Sequence, residues 1–218
     1  MKVIFLVSGD GGNLKYVYKC RDKLKITIPA VIGDRECKAI HYSRKMKIST
    51  FVIEFGDQTE LQRLINKIQP DIVVTTVHKI LNKETLSVCN AKFINLHYSL
   101  LPDYRGMIGM KPVEEAIKDK KNIVGVTLHE VNNILDGGDV ISQAIIDTRA
   151  NKLTKNPNKI KDTVFFCGAI LLVSHLWTER HGIKLIRECN VIVNNNKVKF
   201  TNFVPFRSEF LNKVKSEL

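Results

Sequence analysis

The sequence predicts an α/β fold built on a doubly wound, mostly parallel sheet and closed by a long C-terminal helix and a β-hairpin. Three observations lead there. The chain opens on an apolar, β-branched run, 2–7, cut by the glycine cluster Ser8-Gly9-Asp10-Gly11-Gly12-Asn13 and followed by good helix formers over 14–21. A second run, Asp71-Ile72-Val73-Val74-Thr75-Thr76, is continuous in β-branched residues, the kind of strand that a parallel sheet buries on both faces. Between and beyond these runs strand-like and helix-like stretches alternate, and a repeated β-α-β order with right-handed crossovers winds such a sheet.

Residues 26–32 read as the second strand, 35–46 as a helix and 51–54 as a short third strand. Asp57 is placed to cap the next helix, with Glu60 as its capping-box partner and Leu61, Leu64, Ile65 and Ile68 on one face; Pro70 stops it. The fifth strand is 93–97, and 110–117 is a helix with Pro112 in its first turn, where the missing N–H is harmless. Residues 123–130 and 140–146 alternate like strands with a solvated side, joined by the loop 132–138. Residues 150–161 are polar and lysine-rich and read as a mobile loop, and 162 to about 180 as a helix apolar almost all round, ended by Gly182. Strands 184–193 and 198–203 form a hairpin turned by Asn194-Asn195-Asn196, since asparagine tolerates positive φ. This organisation gives one domain over 1–206 and a loosely held tail over 207–218.

A length of 218 residues, 44% of them hydrophobic, suits one domain with a full core. No apolar stretch reads as long enough to span a bilayer, and the opening run is too short for an export signal. The five cysteines, an odd number without a Cys-x-x-Cys pair, read as reduced thiols of a cytoplasmic protein, with no disulfide and no metal site. The formal net charge is +12, but the lysines are spread along the whole chain. That argues against a dedicated nucleic-acid segment and for a solvated basic surface that also attracts anionic substrates.

The chemistry concentrates in 93–106. In a strand, residues two apart share a face, so Asn95 and His97 point the same way at the carboxyl end of their strand, where parallel sheets bind ligands. Pro102 and Gly106 then turn the chain away. Asp136 stands in Leu135-Asp136-Gly137-Gly138-Asp139, where the glycines permit close backbone approach. An amide donor, a titratable imidazole and a carboxylate compose an acyl-transfer site. The Ser8 to Asn13 turn leaves backbone N–H groups bare at a helix N-terminus, a phosphate cradle; it lacks Gly-x-Gly-x-x-Gly, so dinucleotide binding is not supported. His78 reads as an exposed loop histidine and His129 as a structural hydrogen-bonder. Ser99, without a Gly-x-Ser-x-Gly elbow, reads as a structural hydroxyl.

Asn95-Leu96-His97-Tyr98-Ser99-Leu100-Leu101-Pro102 with the later Asp136-Gly137-Gly138 resembles the folate-dependent formyltransferases, whose pattern is Asn-x-His-x-Ser-Leu-Leu-Pro followed by Asp-Gly-Gly. The resemblance implies a Rossmann-like formyltransferase fold and transfer of a formyl group from 10-formyltetrahydrofolate to an amine, without a metal. It places Asn95, His97 and Asp136 on the three catalytic positions: Asn95 and His97 as stabilisers of the oxyanion, Asp136 as the group that sets the charge state and takes the amine proton. Lys79, Ile80 and Leu81, with Val131, Asn132 and Leu135, fall on the folate pocket. The first loop is similar to Ser-Gly-x-Gly-x-Asn-Leu of the glycinamide ribonucleotide formyltransferases, which implies that Gly11, Gly12 and Asn13 hold a substrate phosphate.

Departures from the pattern divide the choice of acceptor. Tyr98 stands where that family most often has proline, and Phe166-Cys167-Gly168 stands where the glycinamide ribonucleotide enzymes carry a Gln-Glu-His that grips the ribose. The first loop therefore favours glycinamide ribonucleotide, in purine synthesis, and the helix favours a sugar-nucleotide amine. Methionyl-tRNA ranks lower for want of room for a tRNA-binding domain, as does a non-catalytic, basic nucleic-acid-binding domain. A small-molecule substrate, a folate cosubstrate, no membrane and a monomer or homodimer complete the expectation.

Overall fold

Strand β1 (Val3–Val7) is buried at every position and is flanked in parallel by β2 (Ala30–Gly33) and β4 (Ile72–Thr76). The computed structural model describes residues 1–150, 153, 156–183 and 185–203. Its chain divides into two compact units, Met1–Asn95 with Glu130–Gly138, and Leu96–His129 with Asp139–Leu218.

In the first unit the strands run β3-β2-β1-β4-β5, all parallel, with β3 (Ser49–Val52) at the edge and β5 (Lys92–His97) beside β4. This is the order of a doubly wound nucleotide-binding sheet. Between the strands lie α1 (Gly12–Leu24), α2 (Lys38–Lys45), α3 (Thr59–Ile68) and the single turn α4 (Lys83–Leu86). Leu61, Leu64 and Ile65 of α3 pack with Ile4, Leu6, Ile32 and Val73 in one core cluster, so the apolar face read from the sequence is the face that is buried.

Two local readings are corrected here. β2 starts at Ala30 rather than residue 26, because Pro29 cannot donate to a ladder and Thr27 makes only an isolated bridge to Lys2. The N-cap of α3 is Gln58 and makes no side-chain cap bond. Asp57 instead accepts from the N–H and hydroxyl of Thr59 at 3.0 and 2.6 Å, while the Gln58 amide is spent on the segment after β4.

In the second unit the order is β6-β7-β9-β8, all antiparallel, from β6 (Ile123–Glu130), β7 (Val140–Asp147), β8 (Ile186–Val193) and β9 (Asn196–Phe203). β7 alternates in burial, but the six inner residues of β6 are all buried, against the solvated face its pattern suggests. Val126 meets the long helix α6 (Pro157–His181) at Gly168, and Gly125 meets Leu100, so both faces of β6 are covered. Asn194 and Asn195 turn the closing hairpin with φ of 49° and 62°, the type I′ geometry that matches strand twist. Helix α5 (Lys111–Lys118) carries Pro112 in its first turn.

α6 begins at Pro157, inside the stretch read as a loop, because the Asn156 side chain caps it by accepting from Lys159 N–H at 3.1 Å. The reading that no apolar stretch is long enough to span a bilayer is also corrected: by length and composition α6 is long and apolar enough, yet 78% of its most apolar part is buried within the protein. All five cysteines are free thiols. The tail 207–218 lies outside the described residues.

Candidate active site

The loop after β1 ends on Gly11, whose left-handed backbone (φ 69°) forms the N-cap of α1. Gly12 and Asn13 are the first residues of that helix, and its first turn carries no side-chain cap and no acidic residue. The loop after β2 lies alongside: Asp34 N–H donates to the Val7 carbonyl at 3.3 Å, Ala39 N–H to the Gly9 carbonyl at 3.1 Å, and Lys38 pairs with Asp10 at 3.1 Å. The Asp34 side chain is only 4% exposed and receives Arg35 Nε and Nη2 at 3.0 and 2.8 Å. Burial works against its charge, but the hydrogen bonds and the charge of Arg35, with nearby Ser8, outweigh it and hold the carboxyl below the usual range.

The segment after β4 is fixed by buried Gln58. Its amide nitrogen donates to the Ile80 carbonyl at 2.9 Å, and its oxygen accepts from Asn82 N–H and the Thr85 hydroxyl at 3.1 and 2.8 Å. Lys79 and Ile80 are exposed, whereas Leu81 is buried in the core cluster. Among the folate-pocket candidates, Leu81 therefore supports its segment from behind.

The loop 132–138 is built by Asn132. Its side chain accepts from Ile134 N–H at 2.9 Å and donates to the Gly137 carbonyl at 3.1 Å, while Val131 N–H anchors the loop to the Phe93 carbonyl of β5 at 2.9 Å. Asp136 sits at φ 49°, nine-tenths buried, between exposed Leu135 and the two glycines. A Cβ on Gly138 would fall 1.8 Å from the Glu130 carbonyl oxygen, so this position admits only glycine.

β5 carries Asn95, half-buried and in register with Thr75, and two residues later buried His97. His97 Nε2 lies 3.0 Å from the Tyr104 carbonyl. A carbonyl only accepts, so Nε2 carries the hydrogen in this bond. Ser99 donates to the Asp103 carbonyl at 2.5 Å, the structural role its sequence context suggests. The Thr127 hydroxyl donates to the Ser99 carbonyl at 2.7 Å and accepts from Leu101 N–H at 3.1 Å.

The first unit thus gathers Gly11, Gly12, Asn13, Lys79, Ile80, Leu81, Asn95, Val131, Asn132, Leu135 and Asp136, while His97 falls at the start of the second. Gln58, Tyr104 and Thr127 escape sequence reading; only the polarity of Thr127 amid an apolar strand hints at a role. Among the described residues no group of three or more His, Cys, Asp or Glu is placed to hold a metal ion.

Residues 1–164 match the sequence profile of the family described as formyl transferase. The chain belongs to the formyl transferase family. Its curated relatives include a methionyl-tRNA formyltransferase of Fusobacterium nucleatum, 29% identical over 96% of this chain and 66% of that protein. Another, from Caldicellulosiruptor saccharolyticus, is 37% identical over 42% of this chain and 29% of its own length. The chain thus spans about a third of the first curated relatives it matches. Among solved structures, the phosphoribosylglycinamide formyltransferase of Coxiella burnetii is 27% identical with a TM-score of 0.72, covering 95% of this chain and 96% of that one. That of Bacillus halodurans shares the fold at 19% identity, with a TM-score of 0.73 over 83% of this chain and 96% of that one.

Proposed function

We propose that the protein transfers a formyl group from 10-formyltetrahydrofolate to the primary amine of glycinamide ribonucleotide, a step of purine synthesis. The observation that supports the acceptor best is the glycine loop: Gly11, in the left-handed conformation, is the N-cap of α1 and makes no side-chain cap bond, and the first turn that begins with Gly12 and Asn13 carries no acidic residue, which suits a phosphate cradle. Likeness to the Coxiella burnetii enzyme along 95% of the chain favours the same acceptor. On this reading the exposed apolar side chains of Ile80 and Leu135 face the folate, with Lys79 and Val131 beside them, while Leu81 and Asn132 hold the two loops in shape.

The Asn95 amide donates to the formyl oxygen as it gains negative charge under attack by the amine, and protonated His97 donates through its ring. Each such donor is worth roughly a hundred- to a thousand-fold in rate. Asp136 takes the amine proton, directly or through a water, and as the tetrahedral intermediate collapses the bond between the formyl carbon and the folate nitrogen breaks, that nitrogen taking up a proton as tetrahydrofolate leaves. The free thiols suit a reducing cytoplasm.

A second reading, formylation of a sugar-nucleotide amine, is favoured by α6. Phe166, Cys167 and Gly168 are all buried there and present no carboxylate to a ribose. The deciding experiment follows tetrahydrofolate release from 10-formyltetrahydrofolate with glycinamide ribonucleotide, amino-sugar nucleotides and methionyl-tRNA as acceptors. Turnover with glycinamide ribonucleotide alone is the expected result. Turnover confined to a sugar nucleotide or to the tRNA replaces the acceptor, and none with any amine overturns the activity.

A further inference from the structure

The Tyr104 carbonyl that holds His97 belongs to a residue in an unusual conformation. Tyr104 has φ 56°, the left-handed region, which is costly for a side chain with a Cβ and persists only where surrounding bonds over-determine it. Those bonds lie within the second unit. The Tyr104 hydroxyl donates to Asp119 Oδ2 at 2.5 Å, and Asp119 is itself the C-cap of α5, its N–H on the Glu115 carbonyl. On the other side the Asp103 carbonyl takes the Ser99 hydroxyl, and Asp103 N–H donates to the Leu100 carbonyl at 3.0 Å. The Tyr104 carbonyl then accepts twice, from Met107 N–H at 3.4 Å and from His97 Nε2 at 3.0 Å, so its direction is set by the turn and read out by the imidazole.

We propose that the Tyr104–Asp119 pair is a positioning latch: by holding Tyr104 in the left-handed conformation it aims the carbonyl that fixes the tautomer and pitch of the His97 ring. The consequence for chemistry rests on the reading that His97 takes part in formyl transfer. A neutral imidazole has one N–H, and holding it at Nε2 fixes which ring nitrogen carries the hydrogen and how the ring is pitched. Releasing the latch lets the carbonyl swing, admits the Nδ1–H tautomer and loosens the ring. Burial, with the bond to Asp119 behind it, pushes the Tyr104 phenol up to about 12, so it stays a donor throughout the neutral range. Tyr104 and Asp119 touch no reacting atom; they act through His97.

The test uses the full chain with Tyr104→Phe, Asp119→Ala, Asp119→Asn and the Tyr104→Phe/Asp119→Ala double variant. The direct readout is the ring ¹⁵N shifts of His97, which distinguish the two neutral tautomers. The latch predicts a fixed Nε2–H ring in the wild type and a mixed population in Tyr104→Phe and Asp119→Ala. It predicts near wild-type behaviour in Asp119→Asn, whose amide oxygen still accepts from the phenol. It also predicts kcat lowered about ten- to a hundred-fold with KM within about twofold, and a double variant no worse than either single, because misplacing a reacting group by a fraction of an ångström acts on turnover. Unchanged His97 shifts in Tyr104→Phe, or losses that add in the double variant, overturn the latch, even if thermal stability falls. A wild type that formylates no amine overturns the functional reading alone, since the ¹⁵N signature still decides the latch.

Discussion

The ring of Tyr98 lies against Gly168 of α6: a Cβ at Gly168 would stand 3.0 Å from Tyr98 Cε1 and 3.3 Å from Val126 Cγ2. Stacking on Phe165, with centroids 6.0 Å apart and an interplanar angle of 27°, holds the ring there. The aromatic after His97 and the glycine in the long helix are therefore one packing solution. The tyrosine fills the space that the glycine vacates.

That coupling fixes the sign of a double-mutant cycle. Gly168→Ala gains about 1 kcal/mol of helix propensity, but overpacking against a pinned ring costs about 1–3 kcal/mol. The single variant is expected to lose stability in urea unfolding. Once Tyr98→Ala has removed the ring, the same Gly168→Ala change is expected to stabilise, and a loss of equal size in both backgrounds would break the assignment.

Asp136→Asn is expected to abolish nearly all turnover while leaving the thermal midpoint close to wild type. Asparagine accepts the left-handed backbone at φ 49° almost as readily as aspartate, so the loop survives and only the charge is lost. Full activity in this variant would remove Asp136 from the mechanism.

Asn95→Ala tests the oxyanion donor. A fall in kcat of roughly a hundred- to a thousand-fold with little change in the KM for either substrate is the outcome for a bond made in the transition state. An effect confined to KM would make Asn95 a binding residue.

Gly138→Ala is expected to be far more damaging than an ordinary surface substitution, because its Cβ would overlap the Glu130 carbonyl at 1.8 Å and the backbone itself must move. Unfolding should show a loss of about 3 kcal/mol or more, at the upper end for single substitutions. Wild-type stability would mean that the loop re-forms elsewhere.

Asp34 gives a pH dependence with a definite sign. Its folded pKa is depressed, since the hydrogen bonds and charge of Arg35, with nearby Ser8, more than offset burial. Its contribution to stability is therefore present above the unfolded value of about 3.9 and lost as pH falls through the folded one. The stability gap between wild type and Asp34→Asn should be constant near neutrality and close below about pH 4. A gap that persists under acid would mean that the role of Asp34 is steric.

Much of the frame was legible because its signals are local. The β1 run and glycine loop, the β4 run, β6 and the asparagine turn each announce themselves within a few residues. What the sequence hides depends on distant partners. Gln58 looks like an ordinary polar residue before α3 until Ile80, Asn82 and Thr85 are seen to converge on its amide. β6 reads as half-solvated because the pattern cannot reveal that α6 covers one face and Leu100 the other. The residue types at 95, 97 and 136 suggest an acyl-transfer chemistry, but no spacing rule reports that the Tyr104 carbonyl lies 3.0 Å from His97 Nε2.

The family match ends at residue 164, yet α6 runs from Pro157 to His181. A fragment cut at that boundary would keep about two of the helix's roughly seven turns and none of β8 or β9. It would lay bare the apolar surface of β6 and β7, so the end of the profile match is not a limit at which this chain can be divided for expression.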